Sequence, residues 1–96
     1  VRLTGARPAS ELERVVRLDR AWTTWRGRRL LVLDAAAVGD PADPPAPPGT
    51  LVGDVVAAGA GGLRLRRVQP EGRPAMGASE WLRGARPLPG ERLGGP

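Results

Sequence analysis

Cysteine, histidine, asparagine, lysine, phenylalanine and tyrosine are all absent from this 96-residue chain. Without cysteine there is neither a disulfide framework nor a thiol nucleophile. Without histidine there is no imidazole base, and the two common soft-metal ligands are both missing. No apolar run approaches the roughly 20 residues needed to span a bilayer, and no signal peptide is visible. A cytoplasmic chain with no membrane partner is therefore expected. It opens on Val1 rather than Met and reads as a piece of something longer.

What is present suits one small globular domain. Such a length buries about two-thirds of the unfolded surface, so the core is small. Leu, Val and Ala supply nearly all the apolar side chains beside three Trp, so each Trp carries a large share of the buried area. Every one of the 15 basic residues is Arg, against 10 acids, for a net charge of +5. Arginine stays charged and offers phosphate a planar fork, which suggests a polyanion partner such as nucleic acid.

Ser10 and Glu13 have the spacing of a capping box, and Leu12, Val15 and Val16 recur at helical intervals, predicting a helix over about 9–18. Ala21 to Trp25 alternates and is rich in β-formers. With a turn at Arg26-Gly27 and the run Leu30 to Leu33, it predicts a hairpin over about 21–37 whose second strand is largely buried. Five prolines make 39–49 an irregular loop. Short strands are expected within about 50–68, with Leu63 and Leu65 facing in and Arg64 and Arg66 facing out. Residues 69–77 read as irregular. A short helix over about 78–83 is expected to stop at Gly84, with Trp81 and Leu82 docking it, and 87–96 reads as loop. Several short strands with close turns predict a mainly β fold, a small closed or partly open barrel.

No catalytic or metal constellation emerges. Asp40 and Asp43 lack further donors for a hard cation. Glu11, Glu13, Glu71 and Glu80 have no base or nucleophile at useful spacing, and Glu71 is expected to pair with an arginine such as Arg73. Gly59 to Gly62 lacks the Lys-Ser/Thr of a phosphate loop and reads as a turn.

The ordered motifs resemble the C-terminal domain of methionyl-tRNA formyltransferases. They are Ala21-Trp22-Thr23, Gly27-Arg28-Arg29-Leu30, Pro48-Gly49-Thr50, Gly61-Gly62-Leu63, Val68-Gln69-Pro70-Glu71-Gly72-Arg73, Met76-Gly77-Ala78 and Trp81-Leu82-Arg83-Gly84. The match runs nearly the whole length. Leu18-Asp19-Arg20 replaces the family's Pro-x-Pro-Gly turn and the loop after Val52 is trimmed, as in a diverged paralogue. The resemblance implies an oligonucleotide-binding-like Greek-key barrel with one N-terminal and one C-terminal short helix. It also implies a separate catalytic domain in the parent chain, which binds 10-formyltetrahydrofolate and supplies the reacting Asn, His and Asp. None of those roles maps onto this sequence, and no cofactor is expected on it.

In such a family the barrel helps hold tRNA through a basic surface, and Arg26, Arg28, Arg29, Arg64, Arg66 and Arg73 are the candidate contacts. The competing account makes them a solvated exterior. Trp22 and Trp81 are expected in the core rather than as base-stacking platforms, and Trp25, at the hairpin end beside Arg26, is open between the two. The first functional expectation is an accessory tRNA-binding domain of a formyltransferase. The second is a structural or dimerisation barrel of a formyltransferase acting on a small amine, such as an amino sugar or a peptide intermediate. A free-standing nucleic-acid-binding barrel is the third.

Overall fold

The computed structural model describes residues 2–3, 7–18 and 20–94, so Asp19 of the altered turn and the last two residues of the tail lie outside the described residues. Helix α1 (Ala9–Leu18) leads into strands β1 (Ala21–Trp25) and β2 (Arg28–Val38). Strands β3 (Leu51–Val52), β4 (Val55–Ala57), β5 (Gly62–Pro70) and β6 (Met76–Gly77) follow, and α2 (Ala78–Ala85) ends the regular structure. The pairings among these six strands are antiparallel, in the order β1-β2-β5-β4-β3, with β6 beside β5. The neighbours β2-β5-β4-β3 form a Greek key, with the proline-rich segment as its long connection.

Strand pairing leaves the sheet open between β3 and β1, and the C-terminal tail spans the gap. Leu51 N–H donates to Glu91 O (2.9 Å), Leu93 N–H to Gly49 O (2.8 Å) and Gly94 N–H to Thr24 O (2.9 Å). Exposed edges invite pairing with other chains, and this tail satisfies both at once. The segment before α1 binds too. Leu3 N–H donates to Trp22 O (2.7 Å), and Ala9 N–H to Ala60 O (2.9 Å).

The inner face follows strand alternation. On β1 it takes Ala21, Thr23 and Trp25, on β2 Leu30, Val32 and Ala35, and on β5 Leu63, Leu65 and Val68. Both long strands change phase at the same level, where Leu33-Asp34 and Arg66-Arg67 each place two residues outside in succession. Because the irregularities face each other, Val32 still opposes Val68 and Ala35 opposes Leu65. The expectation of a largely buried second strand is corrected: Leu31 is half-buried and Leu33 is 43% exposed.

Two caps differ from the sequence expectation. Helix α1 already contains Ser10, the Glu11 and Leu12 N–H groups donate to Pro8 O, and the Glu13 carboxylate accepts from Ala37 N–H (2.9 Å) and pairs with Arg17. No capping box forms, because Glu13 tethers the helix to β2 instead. Helix α2 runs through Gly84 and stops at Arg86, which is left-handed (φ 48°) and donates its N–H to Leu82 O (3.0 Å). Within the described residues, no helix is long and apolar enough to cross a membrane.

Candidate nucleic-acid interface

The barrel interior offers no ligand site. Its void, lined by Leu12, Val32, Leu65 and Leu93 among others, holds about 40 Å³, whereas small-molecule sites need roughly 300 Å³ or more. The candidate arginines stand instead on the outer wall and at the end of the barrel where the β1–β2 hairpin meets α2.

Arg26 and Gly27 form the hairpin turn, both with positive φ (51° and 80°), as a two-residue type I′ connection requires. The turn brings the exposed Arg26 side chain against the C-terminal tail. Its Nε donates to Glu91 Oε2 (2.6 Å), its Nη2 to Glu91 Oε1 (2.8 Å) and to Arg86 O (3.2 Å), and its guanidinium stacks 4.7 Å from the Trp25 ring centroid. The Arg26 hydrogen bond first, then Leu88 N–H, hold the Glu91 carboxyl down from its usual 4.5 to about 2. The same bond raises the Arg26 pKa. Arg26 thus fastens the tail to the turn, with its Nε and Nη2 donors engaged within the chain and its charge paired with Glu91.

Arg64 and Arg66 project from β5 as alternation predicts, but each stands beside an acid. Arg64 Nε lies 3.6 Å from Asp54 and Arg66 Nε 3.6 Å from Asp34. These pairs are exposed and individually weak, yet they cancel much of the local field. Arg28, Arg29 and Arg73 differ: among the described residues none has a carboxylate within ion-pair distance. Glu71, expected beside Arg73, instead lies 3.5 Å from Arg29 backbone N–H.

Arg28 and Arg73 line one open groove of about 540 Å³, with Trp25, Met76, Glu80 and Trp81. Two guanidiniums against one carboxylate, Glu80, which is outside ion-pair distance of both, leave this aromatic- and thioether-floored trough net positive. Arg29, one residue on, points to the other face of β2, where its guanidinium carbon lies 4.1 Å from the Trp22 ring centroid. The six arginine candidates therefore separate into four settings rather than one patch: Arg26 tied to Glu91, Arg64 and Arg66 beside acids, Arg28 and Arg73 in the groove, and Arg29 against Trp22.

The tryptophans are redistributed as well. Trp81 is buried, as expected, and Trp25 is buried against it. Trp22, expected in the core, is corrected to a half-buried position on the outer face. With Ala21 and Thr23 inside, position 22 must point out, and residues 22 and 25 of one strand cannot share a face. Sequence reasoning missed two residues here, Arg2, whose guanidinium lies 5.6 Å from the Trp22 centroid, and Glu91. Strict alternation along β1 could have signalled Trp22. Nothing local signalled Arg2 or Glu91, whose partners are remote in sequence.

Asp40 also has a structural use, accepting from Gly61 N–H (3.0 Å). Among the described residues no three acidic side chains gather as a metal site would need.

Comparison with known proteins gives a consistent picture. The family described as formyl transferase, C-terminal domain, matches residues 6–86. The chain is 44% identical to a methionyl-tRNA formyltransferase of Roseiflexus castenholzii over 94% of its own length and 31% of that protein's. It is 39% identical to a protein of the same name from Thermobifida fusca, over 91% of this chain and 30% of that protein. The chain thus spans about a third of the length of these relatives.

Proposed function

Because the chain belongs to the formyl transferase C-terminal domain family, we propose that it is an accessory domain that holds tRNA for a formyl transfer carried out elsewhere in a longer protein. The formyl donor, 10-formyltetrahydrofolate in this reading, and the reacting side chains belong to that other part. This chain has neither His nor Asn to offer them, and its interior void is far too small for a folate. What remains for it is to bind and orient.

The observation that carries this reading is the trio Arg28, Arg29 and Arg73 at the hairpin end, charged and without acidic partners among the described residues. Unpaired guanidiniums release counterions when they meet phosphate, giving affinity without base preference. The name of the relatives, methionyl-tRNA formyltransferase, supplies the polyanion. Titrating the chain with tRNA from about 20 to 200 mM salt tests it. Expected is binding at low salt that weakens steeply as salt rises and differs little between tRNA sequences. An absence of binding at the lowest salt would reject it.

A second reading, a packing or dimerisation barrel of a formyltransferase for small amines, draws on the Arg64–Asp54 and Arg66–Asp34 pairs, which make that wall close to neutral. In that case tRNA does not bind, and substitutions in the trio leave the parent enzyme's turnover unchanged.

A further inference from the structure

Trp22 is the one tryptophan on the outer wall, and two arginines converge on it from different parts of the chain. Arg29 arrives from β2, with its guanidinium carbon 4.1 Å from the ring centroid. Arg2 arrives from the segment before α1, held beside β1 by a parallel bridge to Trp22 itself, with its guanidinium carbon 5.6 Å away. Leu3 N–H donating to Trp22 O (2.7 Å) fixes that segment, and Arg2 Nη2 donates to Gly94 O (3.2 Å).

Stacking on an aromatic ring uses the flat face of a guanidinium and leaves its in-plane N–H groups pointing outward. Among the described residues the Arg29 side chain makes no hydrogen bond or ion pair, so its donor fork is free. Arg2 spends one donor on Gly94 and, among the described residues, keeps its other donors free of hydrogen bonds. A long side chain normally loses its rotamer freedom on capturing a ligand. Here the ring has restricted it beforehand. The ring itself is half-buried and already faced by cations, so it is poorly placed to stack a nucleobase.

We infer that Trp22, Arg29 and Arg2 form a binding station for RNA backbone phosphate, with the two arginines as the contacts and Trp22 as a positioning residue. This rests on the tRNA-binding reading above and adds a site on the opposite face of β2 from the Arg28–Arg73 groove. Phosphodiester fits the arrangement because two forks held on one ring match oxygens of one phosphate or of neighbouring ones.

The test is tRNA affinity of the chain measured across salt for R29A, R29K, W22L, W22F and the R29A/W22L double variant, with thermal melts alongside. R29A is expected to weaken binding about tenfold and to make the salt slope shallower by about 0.7–0.9. R29K should keep the slope and still lose affinity, since it keeps the charge without the fork. W22L should weaken binding about two- to fivefold with the slope unchanged, because no charge is removed. W22F should return to near wild type.

The double variant should fall short of the product of the two single effects, since Trp22 acts through the arginines. Wild-type binding with R29A unaffected overturns the station alone, as do effects of Trp22 and Arg29 that multiply independently. Failure of the wild type to bind at low salt overturns the tRNA reading itself. Should W22L not fold, the R29A and R29K slopes decide the matter.

Discussion

Trp25 and Trp81 meet edge to face, ring centroids 5.3 Å apart and planes at 74°. The contact joins the end of the hairpin to α2, and together the pair provides much of the large apolar volume in a core otherwise built from Leu, Val and Ala. Truncating either to Ala is expected to cost about 3–5 kcal/mol. The double variant should lose less than the sum, with a coupling of about 0.5–1.5 kcal/mol for the ring pair. Urea denaturation of the four species completes the cycle. Strict additivity would show that the rings contribute only separate burial.

The tail is fastened by Glu91, whose carboxyl is held at about 2 by Arg26 and by Leu88 N–H. A folded pKa below the unfolded one means that stabilisation is complete above the unfolded value. It is lost as pH falls from about 4.5 toward 2. Hydrogen exchange of Leu51 and Gly94 amides, whose acceptors lie across the tail junction, should accelerate relative to Val68 over that interval. The variant E91Q should show faster exchange at neutral pH and no acid step in that range. An acid step that persists in E91Q would assign the loosening to another carboxylate.

Glycines at two positions should respond in opposite ways to alanine. Gly61 has φ +75°, and a Cβ there would lie 2.7 Å from Val38 O, so G61A combines left-handed strain with a backbone clash at the edge of β5. A loss of at least about 1–3 kcal/mol is expected. Gly84 sits inside α2 with nothing within 4 Å of its would-be Cβ, and G84A should stabilise by about 0.5–1 kcal/mol. Thermal melts of both variants check the contrast. Equal effects would undo the assignment of Gly84 to the helix interior.

Much of the architecture could be read from local pattern. The hairpin turn followed from Arg26-Gly27, and the inward Leu63 and Leu65 from simple alternation. Apolar spacing alone locates helix α1; the capping box its sequence suggests does not form, because Glu13 finds Ala37 N–H across the fold. Local pattern failed where tertiary partners decide. Gly84 does not end α2, since Arg86 takes the left-handed position. Bulk and the family resemblance both point Trp22 inward, but the small Ala21 and Thr23 hold the inner face and turn it out. In the candidate interface, residue type was legible and availability was not. Arg26 and Arg29 look alike in sequence, yet one is locked to Glu91, a partner that no local spacing reveals.

That difference in availability makes the last prediction. R28Q/R73Q and R64Q/R66Q remove the same two charges, so any change in long-range attraction is shared between them. What differs is placement: the first pair lines an open groove with no acidic neighbour in ion-pair reach among the described residues, and the second stands beside Asp54 and Asp34. If tRNA settles at the hairpin end, R28Q/R73Q should lower the salt slope by about 1.4–1.8, two phosphate contacts' worth. R64Q/R66Q should lower it by less than about 0.5, because phosphate approaching that ridge meets the carboxylates as well. Anisotropy titrations of both variants across salt make the comparison. Equal slopes would mean that the whole arginine exterior acts as one diffuse field, with no interface at the hairpin end.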